Sequence, residues 1–562
     1  MTTIETQHAV ADAPEAPATG ESTAPASGSF FAGVADWVTT TDHKKIGRLY
    51  AGFGLVLLAG SAIVALLLGI ERADDGSELL DGGALLQLVQ VYRFGLVLGA
   101  LVPIVLGLGL AVAPMQVGAR QVAFPRVALS GFYFWLAGIV LMLFALGDNG
   151  GIGGGNAQAV DQFLAAIGLT LVGLAFSATS LATTVLTARA PGMTMRRVPL
   201  FAWSSLIGAL GVLLVVPVAF ASVIYLFVDL RYGAAENFAG AEGIAAWLGW
   251  LLTIPAVIAF AVPAVGVFAE LVPVTFRGRQ QLRGVAFAGL ALVGVAALAA
   301  VTRQTAIPVS LDTDQSFGTF IDDAVPYLLF AGLPLLGAVV VLALGGLTAQ
   351  AGMAKAGKPN LVPAAVFALF GIGLVVLGLV ANFLLALTDL ELLGTSFEEG
   401  ALLLVAYGAL LLVLGGLVFW APKLWGVELT GLHVIPLALL GGLGAALAAV
   451  AAIVGGFLGQ PGGLPANDAG VAALFSLDFS GSGALLAWVG AIGHALVALA
   501  VLGFGALLLK VLRSGQPAAA NPFNGHTIEW GTPSPTPADN FPAVPTVASA
   551  EPVFELSYEG TL

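Results

Sequence analysis

Apolar runs of roughly 20 residues, the length that crosses a bilayer core as helix, recur along this chain from Ile46 almost to Leu512. In lipid every backbone N–H and C=O must find its partner inside the protein, so long apolar runs fold as spanning helices. Counting the runs between polar breaks gives twelve spans, near 46–70, 92–115, 127–147, 159–187, 199–228, 245–271, 284–302, 325–349, 361–389, 399–420, 431–458 and 483–510. The expected fold class is therefore all-α, a polytopic membrane bundle of twelve transmembrane helices. Composition agrees: charged residues make up 9% of the 562, against about 25% in soluble domains, which excludes a soluble enzyme and a disordered chain. Cysteine is absent, so disulfides, thiolate metal sites and cysteine nucleophiles are excluded as well.

Positive charge tests the span count independently, because Lys and Arg collect on the cytoplasmic side. With both termini inside, sixteen of the twenty Lys and Arg fall in cytoplasmic segments, leaving only Arg72, Arg93, Arg231 and Arg303 outside. The outer segments instead carry acid runs such as Asp74-Asp75, Asp322-Asp323 and Glu398-Glu399. The net charge of -13 is accounted for by solvated loops and tails and implies no basic partner and no nucleic acid. Three regions follow: 1–35, a disordered cytoplasmic tail rich in Ala, Thr, Ser, Pro and Gly; 36–513, the membrane domain; and 514–562, a Pro-rich cytoplasmic tail. The first region lacks a basic start and an apolar core, so it is not read as a signal peptide and the first span is expected to direct insertion.

Ionisable groups within membrane spans are functional candidates by default, and the expected spans hold few. Glu270 and Asp229 lie at span ends, where water and headgroups reach. His494 is the one deeply placed titratable side chain, with His433 near the start of the eleventh span. The ordinary role for each is a neutral imidazole bonded to a neighbouring helix; a ligand or proton relay is the chemical alternative. Ser177, Thr179, Ser180, Thr183 and Thr184 can bond back to their own helix and need not line a path. Glycine pairs such as Gly107 with Gly109 and Gly371 with Gly373 suit close helix packing in lipid.

Loop residues are more specific. The run Trp37-Val-Thr-Thr-Thr-Asp42-His43-Lys44-Lys-Ile-Gly47 resembles the approach to helix one in subunit I of haem–copper terminal oxidases, the cytochrome c oxidase family. Gly118-Ala-Arg-Gln-Val-Ala-Phe124-Pro125-Arg126, followed by Phe134-Trp135, resembles the family's loop after helix two. Ala190-Pro-Gly192 through Pro199-Leu-Phe201-Ala-Trp203 resembles the approach to helix five. Asp312-Thr313-Asp314, Trp420-Ala-Pro-Lys423 and the tail run Asn521 to Pro535 are similar to family segments in the same order. The resemblance covers nearly the whole chain. It implies a cytochrome c oxidase subunit I-like fold, an oxidoreductase family that binds haem and copper, and partners that are other respiratory oxidase subunits, subunit II- and III-like chains, in a prokaryotic inner membrane.

The family's chemistry rests on histidines, and the positions that the resemblance assigns them hold none. The haem-ligand positions fall on Val91 (or Tyr92), Gly400 and Leu402, and the copper-ligand positions on Ile254, Gln304 and Thr305. Ala256 and Ile258 stand where the family has an acid and a cross-linked tyrosine. Gln121, Ala128, Leu129 and Ala338 stand at proton-route positions, and Gly69, Pro465 and Ala466 at haem-contacting arginines. The five histidines are His8, His43, His433, His494 and His526, so none lies in the interval that contains all six ligand positions, whatever the register. A buried charge stripped of its cofactor is costly, which accounts for small and apolar replacements.

The resulting expectation is no cofactor, no catalytic residue and no metal site: a chain inactive on its own that serves as a structural or assembly subunit of an aerobic electron-transport complex. Two alternatives stay open. One is an active terminal oxidase with non-standard ligands such as Met115, Met142 or Tyr407; the other is a bundle repurposed for transport or lipid binding.

Overall fold

The computed structural model describes residues 30–73, 82–233, 241–303, 308–311, 316–462 and 482–558. Twelve helices in it are long and apolar enough to span a membrane, making the chain a multi-pass membrane protein. They are α1 (His43–Ala73), α2 (Ala84–Gln116), α3 (Pro125–Gly147), α4 (Ala157–Thr187), α5 (Leu200–Tyr232), α6 (Gly243–Thr275), α7 (Arg283–Ala300), α8 (Phe317–Ala356), α9 (Pro363–Leu385), α10 (Ser396–Trp425), α11 (Gly431–Phe457) and α12 (Ser482–Ser514). No strand forms among the described residues. Several helices extend a turn or more beyond their apolar runs, because polar first and last turns remain helical once their side chains find partners at the bundle ends.

Two compact units are present. The first runs to Thr40, and its described part holds a helix, Phe30–Val38, that begins inside the stretch read from sequence as a disordered tail. The second, Thr41–Leu562, contains the whole bundle. Within it α1 packs on α2 and α12, α10 on α9 and α11, and α3 through α6 in sequence. The most apolar stretches of α2 and α10 are wholly buried and that of α6 almost wholly, so these three helices form the centre. They also carry four of the ligand positions that the resemblance assigns.

Glycine sets the spacing. Gly47 with Gly107, Gly131 with Gly173, Gly371 with Gly408, and Gly444 with Gly493 face each other across helix pairs, and a Cβ on any of them would collide with its partner's carbonyl oxygen. Small residues permit this approach, and lipid supplies no hydrophobic drive between helices to replace it. The polar run of α4 is satisfied locally. The hydroxyls of Thr179, Ser180 and Thr184 donate to carbonyls four residues back, while Ser177 pairs with the Tyr50 hydroxyl at 2.6 Å.

The segment after α12 lies as coil across one end of the bundle. Asn540 accepts from Lys44 Nζ at 2.9 Å and donates to the Ala119 carbonyl at 2.8 Å. His43 bridges the Leu110 carbonyl and Asn540 Oδ1. Glu529, fully buried, accepts from Gln116, Trp420 and Thr527 at 3.1, 3.1 and 2.8 Å. Thus the sequence runs around Asp42, Trp420 and Asn521 are brought together by one function, fastening this tail.

Candidate functional site

At the opposite end, α1, α2, α10, α11 and α12 surround a buried polar cluster. Helix α2 reaches it through a π-helical stretch, Gly95–Leu101, all of it buried. A π segment changes which upstream residue faces a given neighbour, so periodicity alone does not choose between Val91 and Tyr92. In the fold Tyr92 is 2% exposed and lines the cluster, whereas Val91 is half-buried. The Tyr92 ring lies 5.9 Å from the ring of His494 on α12, and the Tyr407 ring of α10 lies at the same distance on its own side. His494 Nδ1 and the Tyr407 hydroxyl are hydrogen bonded at 2.9 Å, the bond to a neighbouring helix expected of this histidine.

Next to these edge-on aromatic contacts stands an ion pair. Glu399, near the start of α10, meets Arg93 at 3.3 Å and the more distant Arg72 at 3.9 Å. Arg93 and Glu399 are both buried. These charges correct the sequence reading, which placed Arg72, Arg93 and Glu398-Glu399 in outer solvated segments and left His494 as the one deep titratable group. Asp229 and Glu270 are also buried, not solvated at span ends; Glu270 accepts from the Phe201 backbone N–H at 3.4 Å. Missing from the sequence was any sign that residues 93 and 399 meet. Only the placement of an arginine one residue past Tyr92, directly before the apolar run 94–113, hinted at burial.

Between these groups lies a cavity of about 80 Å³, bounded by Ala65, Gly69, Tyr92, Glu399, Ala448 and His494 among others. It holds a few waters at most and falls well below the roughly 300–1,000 Å³ of ligand and cofactor pockets. Three further assigned positions, Gly400, Leu402 and Ile254, are closed as well. Gly400 is pressed on α11, where a Cβ would meet the Ile453 backbone nitrogen at 2.7 Å and the Ala449 carbonyl at 2.8 Å. Leu402 is 1% exposed. Ile254 opens the regular part of α6 just after a break at Thr253, with Ala256 and Ile258 buried beside it. Gln304, Thr305, Asp312 to Asp314, Pro465 and Ala466 lie outside the described residues.

Haem iron and copper of this kind need several imidazole nitrogens converging on one point. Val91, Ile254, Gly400 and Leu402 supply none, and among the described residues no group of three or more His, Asp or Glu could hold a metal ion. Tyr407, considered as a substitute ligand, is occupied by His494. His433 sits at the other end, exposed, paired with Thr430 at 3.1 Å. The residues present do not fit the haem and copper of the resembling family.

Comparison with known proteins places this geometry in context. The family model described as "Cytochrome C and Quinol oxidase polypeptide I" matches residues 45–495. The chain is 28% identical to a cytochrome c oxidase subunit 1 of Corynebacterium diphtheriae over 561 residues, covering 93% of this chain and 92% of that protein. It is also 28% identical to the proteins of that name from Corynebacterium efficiens and Corynebacterium glutamicum, covering 93% of this chain and 89% and 88% of theirs. With the twelve helices, the central trio and a family match over most of its length, the chain belongs to the cytochrome c and quinol oxidase polypeptide I family.

Proposed function

We propose that this chain is a cofactor-free structural or assembly subunit of an aerobic respiratory oxidase complex, catalytically inactive by itself. It sits with subunit II- and III-like chains in a prokaryotic cell membrane, both ends cytoplasmic. The observation that supports the reading is the aromatic and ionic filling of the space beside Tyr92, one of the two positions to which the resemblance assigns a haem ligand: the Tyr92 and Tyr407 rings meet His494 edge-on, and the Arg93–Glu399 pair lies next to them. Filled interiors agree with this, since proteins do not keep large voids. A water-filled, polar-lined cavity of haem size at that place would favour a transport role instead; the cavity there measures about 80 Å³. The relatives' name, cytochrome c oxidase subunit 1, supports a respiratory setting.

Purification of the tagged chain from native membranes, followed by identification of its companions, tests the assignment. Recovery with a subunit bearing a two-copper domain and with a subunit III-like chain is expected. Recovery without any oxidase subunit overturns it.

A further inference from the structure

On the membrane-facing side, away from the cluster above, α4 and α5 part along a groove of about 390 Å³. Its walls are Ala165, Leu169 and Val172 of α4 and Phe220, Ile224 and Phe227 of α5, and its floor is Gly168. Eight residues on each helix, about two turns, give it a length of about 10 Å, most of one leaflet's share of a 30 Å core. The floor exists because Gly168 has no side chain: a Cβ there would already stand 3.4 Å from the Phe220 ring and 3.6 Å from Val223. Apolar walls alone select nothing in a bilayer, where acyl chains are as apolar as leucine. Selection has to come from shape and from what stands at the groove's mouth.

At that mouth is a cation. Arg231, one turn past Phe227, holds its guanidinium 5.9 Å from the Phe227 ring and pairs through Nε with Asp161 Oδ2 at 2.7 Å, Asp161 itself lying one turn before Ala165. Its side chain is 58% exposed, so the pair orients the guanidinium while leaving its outer N–H groups accessible. Tyr232, the next residue, is 86% exposed. Tyrosine at a span end marks headgroup depth, and a guanidinium fork recognises phosphate oxygens in pairs. We infer that the α4–α5 groove is a phospholipid site, taking one acyl chain along Gly168 and the lipid phosphate on Arg231.

Mapping with a photoactivatable probe tests this. The purified full chain is reconstituted in phosphatidylethanolamine vesicles containing phosphatidylglycerol with a mid-chain diazirine, and in parallel vesicles containing a diacylglycerol that bears the same diazirine. Labelling by the phospholipid is expected to concentrate on 165–172 and 220–227. Arg231→Gln should lower that labelling severalfold and leave the diacylglycerol unaffected, whereas Gly168→Leu should lower both. Labelling spread evenly over the other lipid-facing helices, or equal loss of both probes in Arg231→Gln, overturns the inference. The unmutated chain supplies the map by itself, so a misfolded variant does not leave the question open.

Discussion

The Arg93–Glu399 pair is the residue-scale feature with the largest energetic consequence. Removing one member of a buried pair strands a charge and costs about 3–5 kcal/mol, while replacing both by apolar groups of similar size is close to neutral. Glu399→Ala, which leaves the buried Arg93 without its carboxylate, should therefore lower thermal stability in detergent micelles sharply, and the double variant Arg93→Met with Glu399→Leu should recover most of the loss; equal losses would show that the pair is not what holds α2 to α10. Tyr407→Phe removes one hydrogen bond, from His494, and should cost about 1 kcal/mol in the same assay. None of these partnerships is legible in a linear reading. Family motifs assign ligand positions by counting along the chain, but what surrounds those positions depends on contacts between residues hundreds of positions apart.

Elements were the most readable level, since twelve apolar runs give twelve helices and the loop motifs fix their order. Packing was readable in kind and not in place. Gly371 and Gly373 look equivalent in sequence, yet Gly371 is pressed on the Gly408 carbonyl and a Cβ on Gly373 would meet nothing within 4 Å. Gly371→Val should destabilise the chain by about 1–3 kcal/mol through overpacking, and Gly373→Ala should be neutral or slightly stabilising through helix propensity; thermal unfolding of the two separates them. The tail behaves as an element too. Burial, and then nearby Arg279, hold His526 down to about 4, against about 6.5 when free. Its contribution to docking is present above about 6.5 and is lost as pH falls through about 4. Burial raises the carboxyls of Glu529 and Glu551, so their contribution runs the other way, lost as pH rises through the raised values. Limited proteolysis of the tail between pH 7 and pH 4 should show less acid-induced loosening in His526→Gln than in the unmutated chain. An unchanged profile would remove His526 from the docking balance.

At the scale of the whole molecule, the bundle has the twelve spanning helices expected of its family, and among the described residues no group of three or more His, Asp or Glu converges on a metal ion. Helices α2, α6 and α10 are central, and the tail fastens one end through Glu529 and Asn540. The interior beside Tyr92 is filled by the chain's own side chains, leaving about 80 Å³. A C-terminal reporter should face the cytoplasm, as the distribution of Lys and Arg requires, and a reporter on the outer side would invert the topology. The central claim, that the chain binds neither haem nor copper, is tested most directly by an absorption spectrum with metal analysis on the chain separated from its partners. A cofactor-free chain gives no Soret band and only traces of iron and copper; a Soret band with near-stoichiometric iron contradicts the claim.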